Sequence, residues 1–198
     1  GYIMEAMPHY DSAITFYDPA EHRPLAMRFG VDARVAILSN RSWALWLLGY
    51  PEAALADMDQ ALKHAREIGQ APTLMYALLH VSVPYIHCGR YAIATAVLDE
   101  LAVLADQKGS PFWKPHGMAQ QGCLFGLTGK ASNAVQMLTT GIAAFRSTGS
   151  TPWIPIRLAY LAMAHAELGN FDDAWHCVAE AMSTIGTTKA VSYTHLRA

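Results

Sequence analysis

Apolar and small positions along this chain repeat on two periods at once. Counting back from Gly49, Gly89, Gly129 and Gly169, the residues eleven before are Leu38, Leu78, Met118 and Leu158. Those seven before are Ser42, Ser82, Gly122 and Ala162, and those four before are Leu45, Tyr85, Phe125 and His165. Offsets of 11, 7 and 4 fall on one face of an α-helix. After each glycine a second face follows, with Ala54, Ala94, Ala134 and Ala174 five residues on and Met58, Leu98, Leu138 and Val178 nine residues on. The long period is the spacing of the glycines themselves, 40 residues, and Gly69, Gly109 and Gly149 keep it halfway between. Gly1 with Ala6 makes a displaced fifth copy, 48 residues before Gly49.

A helix-turn-helix repeat has two turns per unit, each needing a residue that accepts a left-handed backbone. The two glycine series supply both. The alanine five residues on belongs where paired helices come closest and a larger side chain would push them apart. The pattern therefore predicts an all-α solenoid of antiparallel helix pairs.

Taken in order, Ala6–Tyr17 reads as the second helix of a partial repeat, with Tyr10, Ala13, Ile14 and Tyr17 on its apolar face and its first helix missing. That absence suggests a piece of a longer protein. Asp18-Pro19-Ala20-Glu21-His22-Arg23-Pro24 reads as a polar, proline-punctuated loop. Residues 31–48 pair with Glu52–Ile68, and a third unit runs from Thr73 to Lys108. Pro84 inside that unit's first helix should kink it and free one carbonyl. Ser110-Pro111-Phe112-Trp113-Lys114-Pro115 and Ser150-Thr151-Pro152-Trp153-Ile154-Pro155 open the fourth and fifth units, matching Trp113 to Trp153 and Pro115 to Pro155. Phe171–Ile185 is the last helix. These readings give one repeat domain over 1–189, divided as a partial repeat 1–30 and repeats 31–69, 70–109, 110–149 and 150–189. Val191–Ala198, in a tail from 190, fits the period poorly and is either the start of another helix or non-native sequence. Both ends of such an array should expose apolar surface.

Composition narrows the chemistry. Hydrophobic residues make up 53% and charged ones 15%, ample for a core and against disorder. A net charge of -2 disfavours a broad nucleic-acid surface. The longest apolar run, around Trp43 to Leu48, is broken by its turn and falls short of the roughly 18 residues of a membrane span. The start has neither the basic residues nor the cleavage site of a signal peptide. Three cysteines, at 88, 123 and 177, occupy different repeat positions without metal-like spacing, which suits a reducing cytoplasm.

Two constellations imitate active sites. In Gly122-Cys123-Leu124-Phe125-Gly126-Leu127-Thr128-Gly129-Lys130-Ala131 a phosphate loop would need glycine and a hydroxyl where Leu124 and Ala131 stand. Among the nine histidines, His80 and His87 share a helix face, His116 opens a later helix and His176-Cys177 lies on another. None shows the i, i+4 metal spacing with a third ligand. No catalytic residue, metal ligand or cofactor is therefore expected, and an enzyme fragment with its active site among the histidines is set aside.

The run Gly169-Asn170-Phe171-Asp172-Asp173-Ala174 with Ala181 resembles the tetratricopeptide repeat. The period of 40 exceeds that family's usual length of about 34. HEAT-type repeats are the structural runner-up, and the small residue seven before each glycine favours the tetratricopeptide reading. The resemblance implies a right-handed superhelix. A second resemblance is more specific. Tyr17-Asp18-Pro19, His22-Arg23-Pro24-Leu25-Ala26, Arg28-Phe29-Gly30-Val31-Asp32 and Ala44-Leu45-Trp46-Leu47-Leu48-Gly49-Tyr50-Pro51 look like a region of multidomain signalling proteins. Those proteins carry an adenylate/guanylate cyclase domain, then an ATPase module, then a helical-repeat tail similar to that of the maltose-regulon activator. The match implies a non-catalytic C-terminal regulatory scaffold whose partners are other proteins, the parent's own catalytic and ATPase domains, or a small effector.

One polar line on the first helices fits such a role. Nine residues before each turn come Asn40, His80, Gln120 and Tyr160, with Trp43, Trp46, Tyr76, His87 and His116 expected near them. Stacked repeats would set this row in or beside a concave groove, where aromatic and histidine side chains suit partner anchoring. Ordinary packing or a solvated seam is the competing reading. The alternative function is a standalone small-ligand or transcription-regulator sensor using the same groove.

Overall fold

The computed structural model describes residues 3–149, 151 and 153–188, and among these there are helices and turns but no strand. Helix α1 spans Ile3–Phe16. Three short turns follow, α2 over Pro19–His22, a 3-10 turn over Arg23–Leu25 and α3 over Ala26–Phe29. The long helices are α4 (Ala33–Leu47), α5 (Pro51–Ile68), α6 (Ala71–His87), α7 (Tyr91–Gln107), α8 (Trp113–Leu127), α9 (Ala131–Ser147), α10 (Ile154–Glu167) and α11 (Phe171–Thr188).

They form two compact units, Tyr2–Gly109 and Ser110 onward. In the first, α4 pairs with α5 and α6 with α7, while α4 and α5 both pack on α6 and α1 packs on α4. In the second, α8 pairs with α9 and α10 with α11, and α10 packs on both α8 and α9.

The turns show why the glycines recur. At Gly49 the backbone has φ 85°, and Tyr50 N–H reaches back to Leu45 O at 2.9 Å. A side chain in that left-handed conformation would cost of order 1–2 kcal/mol. The chain then restarts at once, Ala54 N–H donating to Tyr50 O at 3.0 Å. The same two bonds recur at Arg90 to Tyr85 and Ala94 to Arg90, at Lys130 to Phe125 and Ala134 to Lys130, and at Asn170 to His165 and Ala174 to Asn170. The residue four before each glycine thus supplies the carbonyl that closes the turn.

Helix pairs meet on small residues. Ala54, Ala94 and Ala134 are fully buried, and so are Ser42 and Ser82. Between α8 and α9 the approach needs glycine on both sides. A Cβ on Gly141 would lie 2.9 Å from Ala119 N, and one on Gly122 would lie 2.8 Å from Leu138 Cγ. Gly141→Ala should therefore destabilise the protein. Overpacking costs about 1–3 kcal/mol, against a gain in helix propensity of about 1 kcal/mol. Gly186→Ala, with nothing within 4 Å of its would-be Cβ, should instead raise the urea midpoint. A midpoint raised by both substitutions would refute this account of the α8–α9 contact.

Several expectations are corrected. Pro19–Pro24 is helical rather than a loop: the Asp18 carboxylate caps α2 by accepting from Ala20 N–H at 2.8 Å. Pro19 and Pro24 occupy first-turn positions, where a missing N–H costs nothing. Helix α1 begins at Ile3, before Ala6, and α11 runs past Ile185. The matched tryptophans part company, because Trp113 starts α8 whereas Trp153 precedes α10 at φ 69°. Pro84 lies inside α6, as expected, and the helix runs on to His87. The Gly1 turn and the tail Val191–Ala198 lie outside the described residues. Apolar side chains stand exposed on α11, at Phe171, Trp175, Val178 and Met182, and around α1 and α3, at Met4, Phe16, Met27 and Phe29.

Candidate functional site

The best-formed polar cluster grows from one proline. Pro84 has no N–H to offer the carbonyl of His80, four residues back. The Trp43 indole N–H of α4 takes that place, donating to His80 O at 2.8 Å. The carbonyl freed within α6 becomes a link to α4.

His80 is oriented by the same helix. Its Nδ1 lies 2.9 Å from Tyr76 O. A carbonyl can only accept, so Nδ1 carries the hydrogen. The imidazole stacks on the Tyr76 ring, centroids 3.8 Å apart at 14°, and tilts against the Trp43 ring at 6.4 Å. Burial pushes the His80 imidazole down to about 4, against the opposing pull of its backbone hydrogen bond, so at neutral pH it is uncharged. Nε2 is then an acceptor.

Asn40 closes the group from α4. Its Nδ2 donates to Ala36 O at 2.8 Å and to the Tyr76 hydroxyl at 2.9 Å. The bond to a carbonyl settles which end of the amide is nitrogen, so Oδ1 is the exposed end. The Tyr76 phenol is held up mainly by burial, with Asn40 opposing and nearby Tyr10 adding. Asn40, Trp43, Tyr76 and His80 therefore come together. Trp46 and His87 form a separate stack, centroids 4.5 Å apart, with burial lowering the His87 pKa.

In the second unit the outcome differs. His116 is interior, 3% exposed, beside Phe145 at 4.2 Å and Phe112 at 4.8 Å. Buried Arg157 brings Nη2 within 2.7 Å of His116 Nδ1 and lies 4.7 Å over the Phe145 ring. Guanidinium only donates, so Nδ1 accepts and the imidazole hydrogen sits on Nε2. This arrangement reads as packing of a buried cation by rings. Gln120 on α8 and Tyr160 on α10 are half-buried, and Tyr160 packs against the core of that unit.

Sequence reasoning passed over Arg157 and read Tyr10 only as part of an apolar face. Arg157 had a signal, since the same register holds the small residues Ala77 and Gly117. Tyr10 had none, because α1 carries no full repeat before it. The cysteines are free thiols, and burial raises Cys123 to about 12, far from a reactive thiolate. Among the described residues no three His, Cys, Asp or Glu side chains gather as metal ligands would, and no helix is long and apolar enough to cross a membrane.

No protein-family model matches the chain, and no curated protein does. Solved structures do. The apo form of RapI matches with TM-score 0.69 at 13% identity, over 98% of this chain and 68% of that one. BtubC (BKLC) from P. vanneervenii matches with TM-score 0.64 at 14% identity, over 96% and 76%. A putative kinesin light chain of Podosopora anserina with nearly identical TPR-like repeats gives 0.59 at 14%, over 95% and 89%. The fold is an all-α, tetratricopeptide-like repeat. At such identities the likeness extends to the fold alone, and the longer helices of a 40-residue period are accommodated within it.

Proposed function

We propose that this chain is a non-catalytic, protein-binding regulatory scaffold, the C-terminal tail of a cyclase–ATPase signalling protein working in the cytoplasm. The observation that carries the binding part is the joining of Asn40 and Trp43 on α4 to Tyr76 and His80 on α6, side by side on first helices. A repeat scaffold binds by presenting such groups on rigid neighbouring helices. The parent protein is supported by the sequence resemblance of residues 17–51, and the cytoplasmic setting by three free thiols. Gln120 and Tyr160 are candidate contacts of the second unit, taken by itself. His116 is left to packing.

A ligand regulates only through different affinity for two states of its target. The test is therefore made in the intact signalling protein. Deleting residues 1–189, or substituting Trp43, His80 or Gln120, should shift the effector concentration for half-maximal response. Turnover at saturating substrate should change less. The isolated chain should neither hydrolyse ATP nor form cyclic nucleotide. Turnover by the isolated chain that vanishes in His80→Ala or His116→Ala would replace this reading with an enzyme.

A further inference from the structure

We propose that α10 and α11 together seat one amphipathic helix of a protein partner, a helix whose C-terminal end carries lysine or arginine. The inference rests on the scaffold reading above and adds where the partner binds and with what chemistry. Trp175, Val178 and Met182 share one face of α11, and all three are exposed, Trp175 by 71%. Met163 on α10 is 55% exposed. Forty residues earlier the same registers hold Val135, Leu138 and Ile142 on α9 and Cys123 on α8. There Val135 is half-buried and the others are buried, and α10 packs on both helices. In the first unit the registers hold Leu55, Met58 and Leu62 on α5 and Trp43 on α4. Met58 and Leu62 are buried, Leu55 and Trp43 half-buried, and α6 packs on both helices. Trp43 even bonds to a carbonyl of α6, that of His80. Within each unit these registers belong to the pair of helices that receives a following first helix. On α10 and α11 they face solvent, so the established interface continues into an open seat.

The rim of the seat selects the charge of its occupant. Glu167, Asp172 and Asp173 are exposed about the α10–α11 turn, with the His165 imidazole 3.8 Å from Asp173. Arg157, the one Lys or Arg between residues 154 and 188, is buried. Asp172 stands 120 residues after Glu52, in the first turn of α5. The Cys88 thiol at the end of α6 is raised by burial, drawn down by Arg90 and pushed up by Glu52, so both charges lie near the point where the seated helix ends. In the second unit the same two registers hold Ser132 and Asn170, both neutral. An acidic seat is thus met by a cation in one unit, and a neutral seat by an amide in the other. A helix ending on Asp172 gains by carrying a cation there, and its own dipole favours positive charge at that end.

The test uses the full chain and labelled helical peptides of about 18 residues, five turns, in fluorescence anisotropy at low salt. Three share one leucine stripe at helical spacing and end in two Lys, two Gln or two Glu. A fourth has the lysine end but its leucines off that spacing. The lysine peptide should bind roughly threefold tighter than the glutamine peptide, the size of an exposed ion pair, and the glutamate peptide should bind weakest. Asp172→Asn should remove most of the preference for lysine over glutamine. Trp175→Ala should weaken all three by roughly tenfold or more, the loss of an aromatic anchor. Val103→Ala, at an exposed apolar residue of α7, should change binding less than roughly twofold, as a substitution outside the seat. Thermal melts of the three variants check that folding is retained. Equal binding of the fourth peptide, or lysine-peptide binding indifferent to Trp175→Ala, would overturn the helix seat. Lysine and glutamine peptides bound alike, or a preference for glutamate, would overturn the charge assignment. A chain that is dimeric by sedimentation and becomes monomeric in Trp175→Ala would give the seat to a second copy instead. Failure of every peptide to bind would remove the seat and leave the scaffold reading to its own test, the effector response of the intact signalling protein.

Discussion

Arg41→Met is expected to destabilise the protein by about 3–5 kcal/mol, the cost of stranding a buried charge. The charge is Asp57 on α5, whose side chain is 5% exposed. Arg41 Nε and Nη2 meet its two oxygens at 2.7 Å each, and Nη1 reaches Asp11 of α1 at 2.7 Å. One guanidinium thus ties α1, α4 and α5 together in a bidentate pair and a third bond. Methionine keeps most of the arginine's volume, so the loss measured is electrostatic more than steric. Asp11 is 62% exposed, and Asp11→Asn should cost under about 1 kcal/mol, as surface pairs do. Arg41→Met combined with Asp57→Val should recover most of the stability, because it removes the stranded charge together with its partner. The next repeat already uses that solution, with Val81 and Val97 at the equivalent positions. Urea denaturation of the four proteins decides the matter. An Arg41→Met variant as stable as the parent, or a double variant no better than the single, would show that the pair does not hold these helices.

Trp43→Phe is expected to cost about 1–3 kcal/mol, the range for a buried carbonyl left without its donor. The carbonyl is His80 O, deprived of its usual helical partner by Pro84 and served instead by the indole. The phenyl ring retains most of the apolar contact but has no N–H. Pro84→Ala supplies the missing backbone donor from within α6. In that background Trp43→Phe should lose much of its effect, a coupling of at least about 0.5 kcal/mol in a double-mutant cycle. Strict additivity of the two substitutions would mean that the indole bond and the proline are energetically unrelated.

These two pairs show where sequence reasoning stopped. The freed carbonyl was legible from Pro84 alone, because the consequence of a proline is local to four residues. Its acceptance by Trp43 was not, because the donor sits 37 residues away on another helix. Arg41 and Asp57 left a trace, opposite charges where other repeats have valine, glutamine, methionine, leucine or cysteine. Only the pairing of α4 with α5 brings them to 2.7 Å. His116 was expected near the surface row, and it stands 40 residues after Tyr76. The structure buries it against Arg157 and Phe145, an arrangement no other register repeats among the described residues.

By itself, the sequence determined the long helices, their order and the glycine turns between them. A positive φ demands glycine, a close crossing demands a small residue, and a buried face demands apolar side chains at helical spacing. These are constraints on single positions and short stretches, so a 40-residue recurrence displays them plainly. Tertiary structure decided which polar groups meet and what each has left to offer. Whether Asn40 shows an oxygen or a nitrogen, whether the His80 carbonyl finds a donor, and whether His116 faces outward or into the core depend on partners 36 to 41 residues away on other helices. A hydrogen bond needs its atoms within about 3 Å, a condition set by how helices pack and carried by no period in the chain.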